Sequence, residues 1–327
     1  MSNQHTLNVL FTIDTELWPH SPSWREDRLC DDYARDIQGT TASGDFGIGY
    51  QLDTFREHGL KAVFFVESLF ASVTGIEHLQ QTCRQIIEAG QEVQLHLHPE
   101  WVEHGSAPEI AGKGKFLWQF PREEQEVLLR VALENLGRCG VTSPNAFRAG
   151  NYGADNDTIR ALHDLGIVFD SSYNYPFLGT QCGIETEKWL LQPEDLFGVR
   201  EVPISFFSDY PGHYRHMQLC ACSAAEMEGL LMEAWRRGCH CIVIVSHSFE
   251  LIRRNRRPAV PNPLVIDRFQ KLCRFLTAHG DKFRTVHFSE LPERLPTDLG
   301  AGIAEPLKST LGSTAVRLLQ QSLNRLK

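Results

Sequence analysis

Leu7-Asn8-Val9-Leu10-Phe11-Thr12-Ile13-Asp14-Thr15-Glu16 is the stretch from which the architecture is read. Its apolar residues occupy both alternate positions, as in a strand covered on both faces, and two acids close it. The same signature recurs at Lys61–Glu67, Glu92–His98, Asn145–Arg148, Ile167–Asp170, Glu201–Phe207, Cys241–His247 and Arg284–Phe288. Helical spacing fills the gaps, over Gly49–His58, Ile76–Ala89, Arg122–Cys139, Asn156–Leu165, Ser223–Arg237 and Leu264–His279. Gly59, Gly90, Gly140, Gly166, Gly238 and Gly280 stand where left-handed caps belong, and Ser223 with Glu226 reads as a capping box. Such alternation builds parallel βα units. It predicts an α/β fold, a distorted (β/α)7–8 barrel over residues 1–296, followed by a linker and amphipathic helix over 297–327. Two aperiodic insertions, 18–45 and 173–200, follow strands and are expected at the C-terminal rim, where such barrels meet substrate.

Composition narrows the function classes. Of 327 residues, 42% are hydrophobic and 22% charged, which excludes wholesale disorder. Lys+Arg total 32 against 41 Asp+Glu, a net charge of −9, so no nucleic-acid partner is expected. Nine cysteines without a CxxC pair suggest neither a disulfide framework nor a zinc ribbon. The opening residues lack the marks of a secretory signal, and no run of about 18 apolar residues occurs, so the expected address is cytoplasmic. GxSxG, HExxH and GxGxxG patterns are all missing from the sequence.

Polar residues gather where the apolar runs stop. Strand ends deliver Asp14 and Glu16, His96 and His98, Arg148, Asp170 and His247 to one end of the sheet, and charge at that end of a barrel reads as catalytic. Side chains alternate along a strand, so His96 and His98 share a face about 6–7 Å apart. Two imidazoles so placed, with a carboxylate from a neighbouring strand, can hold one metal and leave positions open. Asp14 and Glu16 have the same spacing, so one can be ligand and the other base. Arg148, at the end of a buried strand, needs a carboxylate partner, and Asp14 is the candidate. Asp170 and His247 form a candidate acid pair, the carboxylate raising the imidazole pKa.

These motifs resemble the polysaccharide deacetylase family (NodB-homology domain, carbohydrate esterase family 4) over about residues 7–290, in the family's order. Thr12-Ile13-Asp14-Thr15-Glu16 is similar to its first motif, usually Thr-Phe-Asp-Asp, so the resemblance implies Asp14 as base. Thr15 stands where the family has its acidic ligand, and Glu16 is the substitute. His96-Leu97-His98-Pro99 resembles the second motif, whose histidines are usually four apart; an ungapped match makes Glu100 the alternative to His98 as ligand. Arg148 through Tyr152 is similar to the third motif, implying that Arg148 orients the base and Tyr152 lends an N–H to an oxyanion. Asp170-Ser171-Ser172 and Val245-Ser246-His247 resemble the fourth and fifth, with His247 as acid. His96-Leu97-His98-Pro99-Glu100-Trp101 is similar to a subgroup associated with lipopolysaccharide biosynthesis. The resemblance implies a NodB-like barrel, a divalent metal with Zn²⁺ the expected ion, and removal of an acetyl group from an N-acetylated saccharide. Trp101 and Trp18 are candidate sugar-stacking residues.

Two features lie outside those motifs. Four arginines in five residues, Arg253-Arg254-Asn255-Arg256-Arg257, follow His247. Arg254 and Arg256 suit a phosphorylated or lipid-linked substrate. The terminal helix reads as a packed element or as a peripheral membrane or partner contact. Two rival functions stay open: a related metal amidohydrolase on a small non-sugar amide, and a saccharide-binding barrel without turnover.

Overall fold

The computed structural model describes residues 6–17, 28–105, 114–256, 258–292 and 303–326. Eight strands of the expected series appear: β1 (Leu7–Thr15), β2 (Val63–Glu67), β3 (Glu92–Leu97), β4 (Ala146–Ala149), β5 (Phe169–Asp170), β6 (Val199–Glu201), β7 (Cys241–His247) and β8 (Phe283–Thr285). They pair in parallel in the order β7-β1-β2-β3-β4-β5-β6, while β8 lies against the first residues of β1. The result is a curled parallel sheet, a half-barrel, with the antiparallel Glu194–Leu196 strand on its far edge.

Besides the single turn Ala71–Thr74, the helices of the described residues are α1 (Leu29–Asp36), α2 (Ile48–His58), α3 (Glu77–Glu88), α4 (Arg122–Arg138), α5 (Asn156–Asp164), α6 (Ala224–Arg236), α7 (Pro263–Ala278) and α8 (Leu311–Leu326). Short α1, inside the first aperiodic insertion, escaped the sequence reading. Among the described residues no helix is long and apolar enough to cross a membrane. The expected left-handed glycines are found except at Gly280, because α7 ends on His279 with an ordinary backbone. Ser223 caps α6 through the Glu226 N–H at 3.2 Å, but the Glu226 carboxylate does not reach back; it turns to Arg317, 3.0 Å away.

One expected strand divides. The Glu201–Phe207 run breaks at Pro203, which has no N–H to give a ladder. Val199–Glu201 stays in the parallel sheet, whereas Phe206–Tyr210 forms an antiparallel hairpin with His213–His216.

Alternation along the strands sorts the core into two layers. Val9, Phe11 and Ile13 of β1, Leu95 and Leu97 of β3 and Ile242 and Ile244 of β7 face outward and pack with the helices. Leu10, Val63, Phe65, Ala146, Phe169, Val243 and Val245 face into the curl and fill its floor with Phe288. Continuing the inward columns upward gives Thr12 and Asp14, Glu67, His96, Arg148 and His247. The floor is apolar because it is sealed; the mouth is polar because those columns end there. Register holds these residues at one height: Asp14 is opposite His247, Glu67 opposite His96, and His96 opposite Arg148.

Candidate functional site

A cavity of about 280 Å³ opens at that mouth, lined by Asp14, Glu16, His96, His98, His247 and Arg254 among others. Three of these residues, Glu16, His96 and His98, are buried and bring one potential ligand atom each within 4.8 Å of one another. His96 Nδ1 lies 2.7 Å from the Arg148 carbonyl. A carbonyl only accepts, so Nδ1 carries the proton and Nε2 keeps its lone pair. That Nε2 is buried without a hydrogen-bond partner. Burial pushes His96 down to about 4 despite the nearby Asp14 and Glu16, so the ring is neutral, as a ligand must be.

His98 meets carboxylates on both sides: its Nε2 is 2.7 Å from Glu16 and its Nδ1 3.3 Å from Glu100. Burial opposes its charged form, yet Glu16 and Glu100 hold its pKa well above the usual imidazole range. Burial would likewise raise Glu16, but His98, His247 and His96 hold it far below the usual carboxylate range. Glu100 stands behind His98 and accepts from Asn151 Nδ2 at 3.0 Å. Thus His98 sits in the cluster and Glu100 supports it from outside, an arrangement common around ligating histidines. Gly150 makes this packing feasible: a Cβ there would fall 2.6 Å from the His98 ring.

Asp14 belongs to a different partner. Arg148 Nη1 donates to Asp14 at 2.6 Å and to Thr12 Oγ1 at 2.8 Å, while its Nε and Nη2 donate to Ser171, each at 3.1 Å. The guanidinium rests 4.3 Å over the Phe65 ring, so it is fixed on every side. Asp14 and Glu16 therefore part roles, Asp14 to arginine and Glu16 to the histidines. Next along the chain, Asn151 and Tyr152 have φ of 55° and 57°, conformations that side chains other than glycine rarely take and that cluster at functional sites. Tyr152 lines the cavity and stacks on Phe177 at 5.7 Å.

His247 faces the same cavity. Its Nε2 is 3.2 Å from Glu16 and 4.0 Å from Asp14, and its Nδ1 is 2.9 Å from Glu250. Burial works against charging this ring, but the Glu250 hydrogen bond, Glu16 and Asp14 carry it up to about 9. Glu250 is itself held by Gln218, by Ser246 Oγ at 3.2 Å and by the Cys220 N–H at 3.2 Å.

Asp170 is not the partner of His247. Its strand neighbour Phe169 fills the inward floor, so Asp170 points outward. There it accepts from Ser172 Oγ at 2.7 Å and lies opposite Glu201. Burial raises both acids, Glu201 the further because the Asp170 charge adds to the rise. Trp101 is also misplaced by sequence reasoning: the turn Pro99–His104 folds its ring inward against Phe70, 6.0 Å away, where no sugar reaches it. Trp18 lies outside the described residues, as does Arg257. Arg254 lines the cavity, its guanidinium 3.5 Å over Phe249, whereas exposed Arg256 is not part of the wall.

Glu250, Gln218 and His216 were missed. A weak signal existed for Glu250, three residues beyond His247 in a strand-end turn. None existed for Gln218 and His216, which arrive on the hairpin created by the break at Pro203. His216 lies 5.3 Å from Phe177, and burial pushes it down to about 4.

No family model matches the sequence, and no curated protein matches it. Solved structures do match by shape. One assigned as a polysaccharide deacetylase from Mycobacterium smegmatis aligns with a TM-score of 0.57 and 16% identity over 95% of this chain and 96% of that one. A family 4 carbohydrate esterase from Streptomyces lividans aligns at TM-score 0.45 and 11% identity, over 86% of this chain and 93% of its own. Peptidoglycan deacetylase PdaC from Bacillus subtilis gives 0.39 and 11%, over 99% of this chain and 98% of its own. The fold argument rests on the first, which spans nearly the whole of both molecules. This chain therefore has the fold of the Mycobacterium smegmatis polysaccharide deacetylase structure, a NodB-like curled βα half-barrel.

Proposed function

We propose that the chain is a metal-dependent hydrolase of the polysaccharide deacetylase family that removes an N-acetyl group from a saccharide. One observation carries the reading: a Glu–His–His cluster, an arginine-held aspartate and a glutamate-held histidine share one cavity. The cluster fits a divalent cation, since it offers two nitrogens and one oxygen and includes the orphaned Nε2 of His96. When bound, such an ion, Zn²⁺ in our reading, supplies Lewis-acid polarisation of the amide carbonyl.

The chain's own groups supply the rest. Asp14, fixed by Arg148, takes a proton from the attacking water as its oxygen bonds to the carbonyl carbon. The Tyr152 N–H is our assignment for stabilising the developing oxyanion. His247, held at Nδ1 by Glu250, gives its proton to the amine nitrogen as the C–N bond breaks, releasing acetate and the free amine. Reconstituted protein should release acetate from N-acetylhexosamine substrates in preference to simple acetamides. His96→Ala and His98→Ala should each weaken zinc binding by about a hundredfold or more, read as metal content after dialysis. Full occupancy in both variants removes the proposed centre.

Arg254 supports the finer part of the reading, an anionic substrate such as a phosphorylated or lipid-linked saccharide. Among the described residues its ion-pair contact is a long one, Asp36 at 3.4 Å, and Asp36 is already gripped by Arg35. Arg254→Ala should raise KM for a phosphorylated N-acetyl sugar by roughly tenfold and leave that for a neutral chito-oligosaccharide unchanged. Equal KM values in parent and variant would refute the anionic substrate.

A further inference from the structure

The hairpin that brings His216 to the cavity continues outward from it. Its strands pair Phe206 with His216 and Ser208 with Tyr214, and the short strand Leu307–Lys308 sets Lys308 beside Ser208. Cross-strand partners share a face. Phe206, Ser208, Tyr214, His216 and Lys308 therefore lie on one side of this small sheet. Phe207 and Arg215 lie on the other, where Asp209 is 3.3 Å from Arg215 and 2.7 Å from Arg317 of α8.

A ladder of aromatic rings runs along the first face. Phe177 and His216, 5.3 Å apart, stand in the cavity wall. Tyr214 is one side-chain repeat further out, about 6–7 Å along the strand. Tyr175, two residues before Phe177, meets Tyr214 edge-on at 5.1 Å and stacks on Phe206 at 4.6 Å. Trp189, from the aperiodic insertion 173–200, ends the ladder 5.0 Å from Tyr175 and 5.7 Å from Tyr214. Two neighbours thus fix the indole, yet it is 42% exposed, and nearby Tyr210 is 49% exposed. Trp189, Ser208, Tyr210 and Tyr214 share the lining of a groove of about 660 Å³.

A ring already held in place loses little freedom when a ligand covers it. The lining selects the ligand. A pyranose presents C–H bonds on its face and hydroxyls around its edge. The exposed ring faces suit the first, and the hydroxyl-bearing Ser208, Tyr210 and Tyr214 suit the second. Because the ladder starts in the cavity wall, one glycan chain can lie across both. We propose that the groove is a distal subsite, in which Trp189 stacks on a sugar of the same chain whose N-acetyl group enters the cavity. The proposal rests on the saccharide reading of the cavity and narrows it to a substrate longer than a monosaccharide.

The test titrates N-acetylated chito-oligosaccharides of two and five sugars into the metal-loaded Asp14→Asn protein, in which turnover is suppressed. The longer chain should bind at least about tenfold more tightly. Adding Trp189→Ala should remove that difference, and Trp189→Tyr should keep most of it. Melting temperatures should stay close to the parent's, because the indole is at the surface. Equal affinities for the two lengths, or a length preference that survives Trp189→Ala, overturns the proposal. So does a dimer in light scattering that Trp189→Ala dissolves, since the ring then belongs to a second copy. A length preference lost in Trp189→Ala, together with no acetate release by the metal-loaded parent, keeps the subsite and removes the deacetylase reading.

Discussion

Asp14→Asn lowers kcat for acetate release by about 10²–10⁴-fold and leaves metal content unchanged. The amide keeps an oxygen for Arg148, whose Nη1 donates to Asp14 at 2.6 Å, so the guanidinium stays in place over Phe65. What is lost is the group that accepts the proton from water. Asparagine is the informative choice. Alanine would strand a buried guanidinium, and breaking one side of such a pair costs about 3–5 kcal/mol, confounding catalysis with folding. Asp14 is not among the three clustered ligand residues, so dialysed metal content should match the parent. KM should move little, because the carboxylate meets the water and not the sugar. A kcat within threefold of the parent in metal-loaded protein would take the base role from Asp14. A proportional loss of metal and activity would instead make Asp14 a ligand and move the base role elsewhere.

The half-barrel and most of its mouth were legible in the sequence because a strand buried on both faces leaves an unmistakable apolar run. Where that run meets Asp14, His96, Arg148 or His247, polarity marks the rim. Alternation then separates the true convergent groups from lookalikes, but only if the inward position is known. In Asn145–Arg148 and Cys241–His247 the closing polar residue happens to lie on the inward column. In Ile167–Asp170 it does not, and with Val168 and Phe169 before it both apolar the sequence offers no way to tell. Asp170 was for that reason paired with His247, whereas the histidine is held by Glu250 in the following turn. Trp101 shows a different limit. Its neighbours His98 and Glu100 belong to the site, yet one tight turn sends the indole into the core. Gln218 and His216 depend on a hairpin made by tertiary pairing, to which local pattern is blind.

The terminal helix illustrates the same limit with larger energetic consequences. Leucine spacing points to a helix here but leaves open which side is buried; in the structure it is the one carrying Arg317. Arg317→Ala should destabilise the protein by about 3–5 kcal/mol, because Asp209 and Glu226 would remain buried without their shared cation. Replacing all three groups, by Asp209→Asn, Glu226→Gln and Arg317→Met, should recover most of that loss, as removing a whole buried network costs far less than breaking it. The pH dependence has a definite sign. Burial alone would raise Asp209, but His213, Arg215 and Arg317 hold it below its ordinary value. Its stabilising contribution is therefore complete above about pH 4, the unfolded value, and fades as pH falls toward the lower folded one. Urea midpoints of parent and Arg317→Ala, taken at neutral pH and in acid, should converge as the acids protonate. Equal midpoints at neutral pH would show that the buried arginine contributes no net stability, and that the outward leucines need another reason for facing solvent.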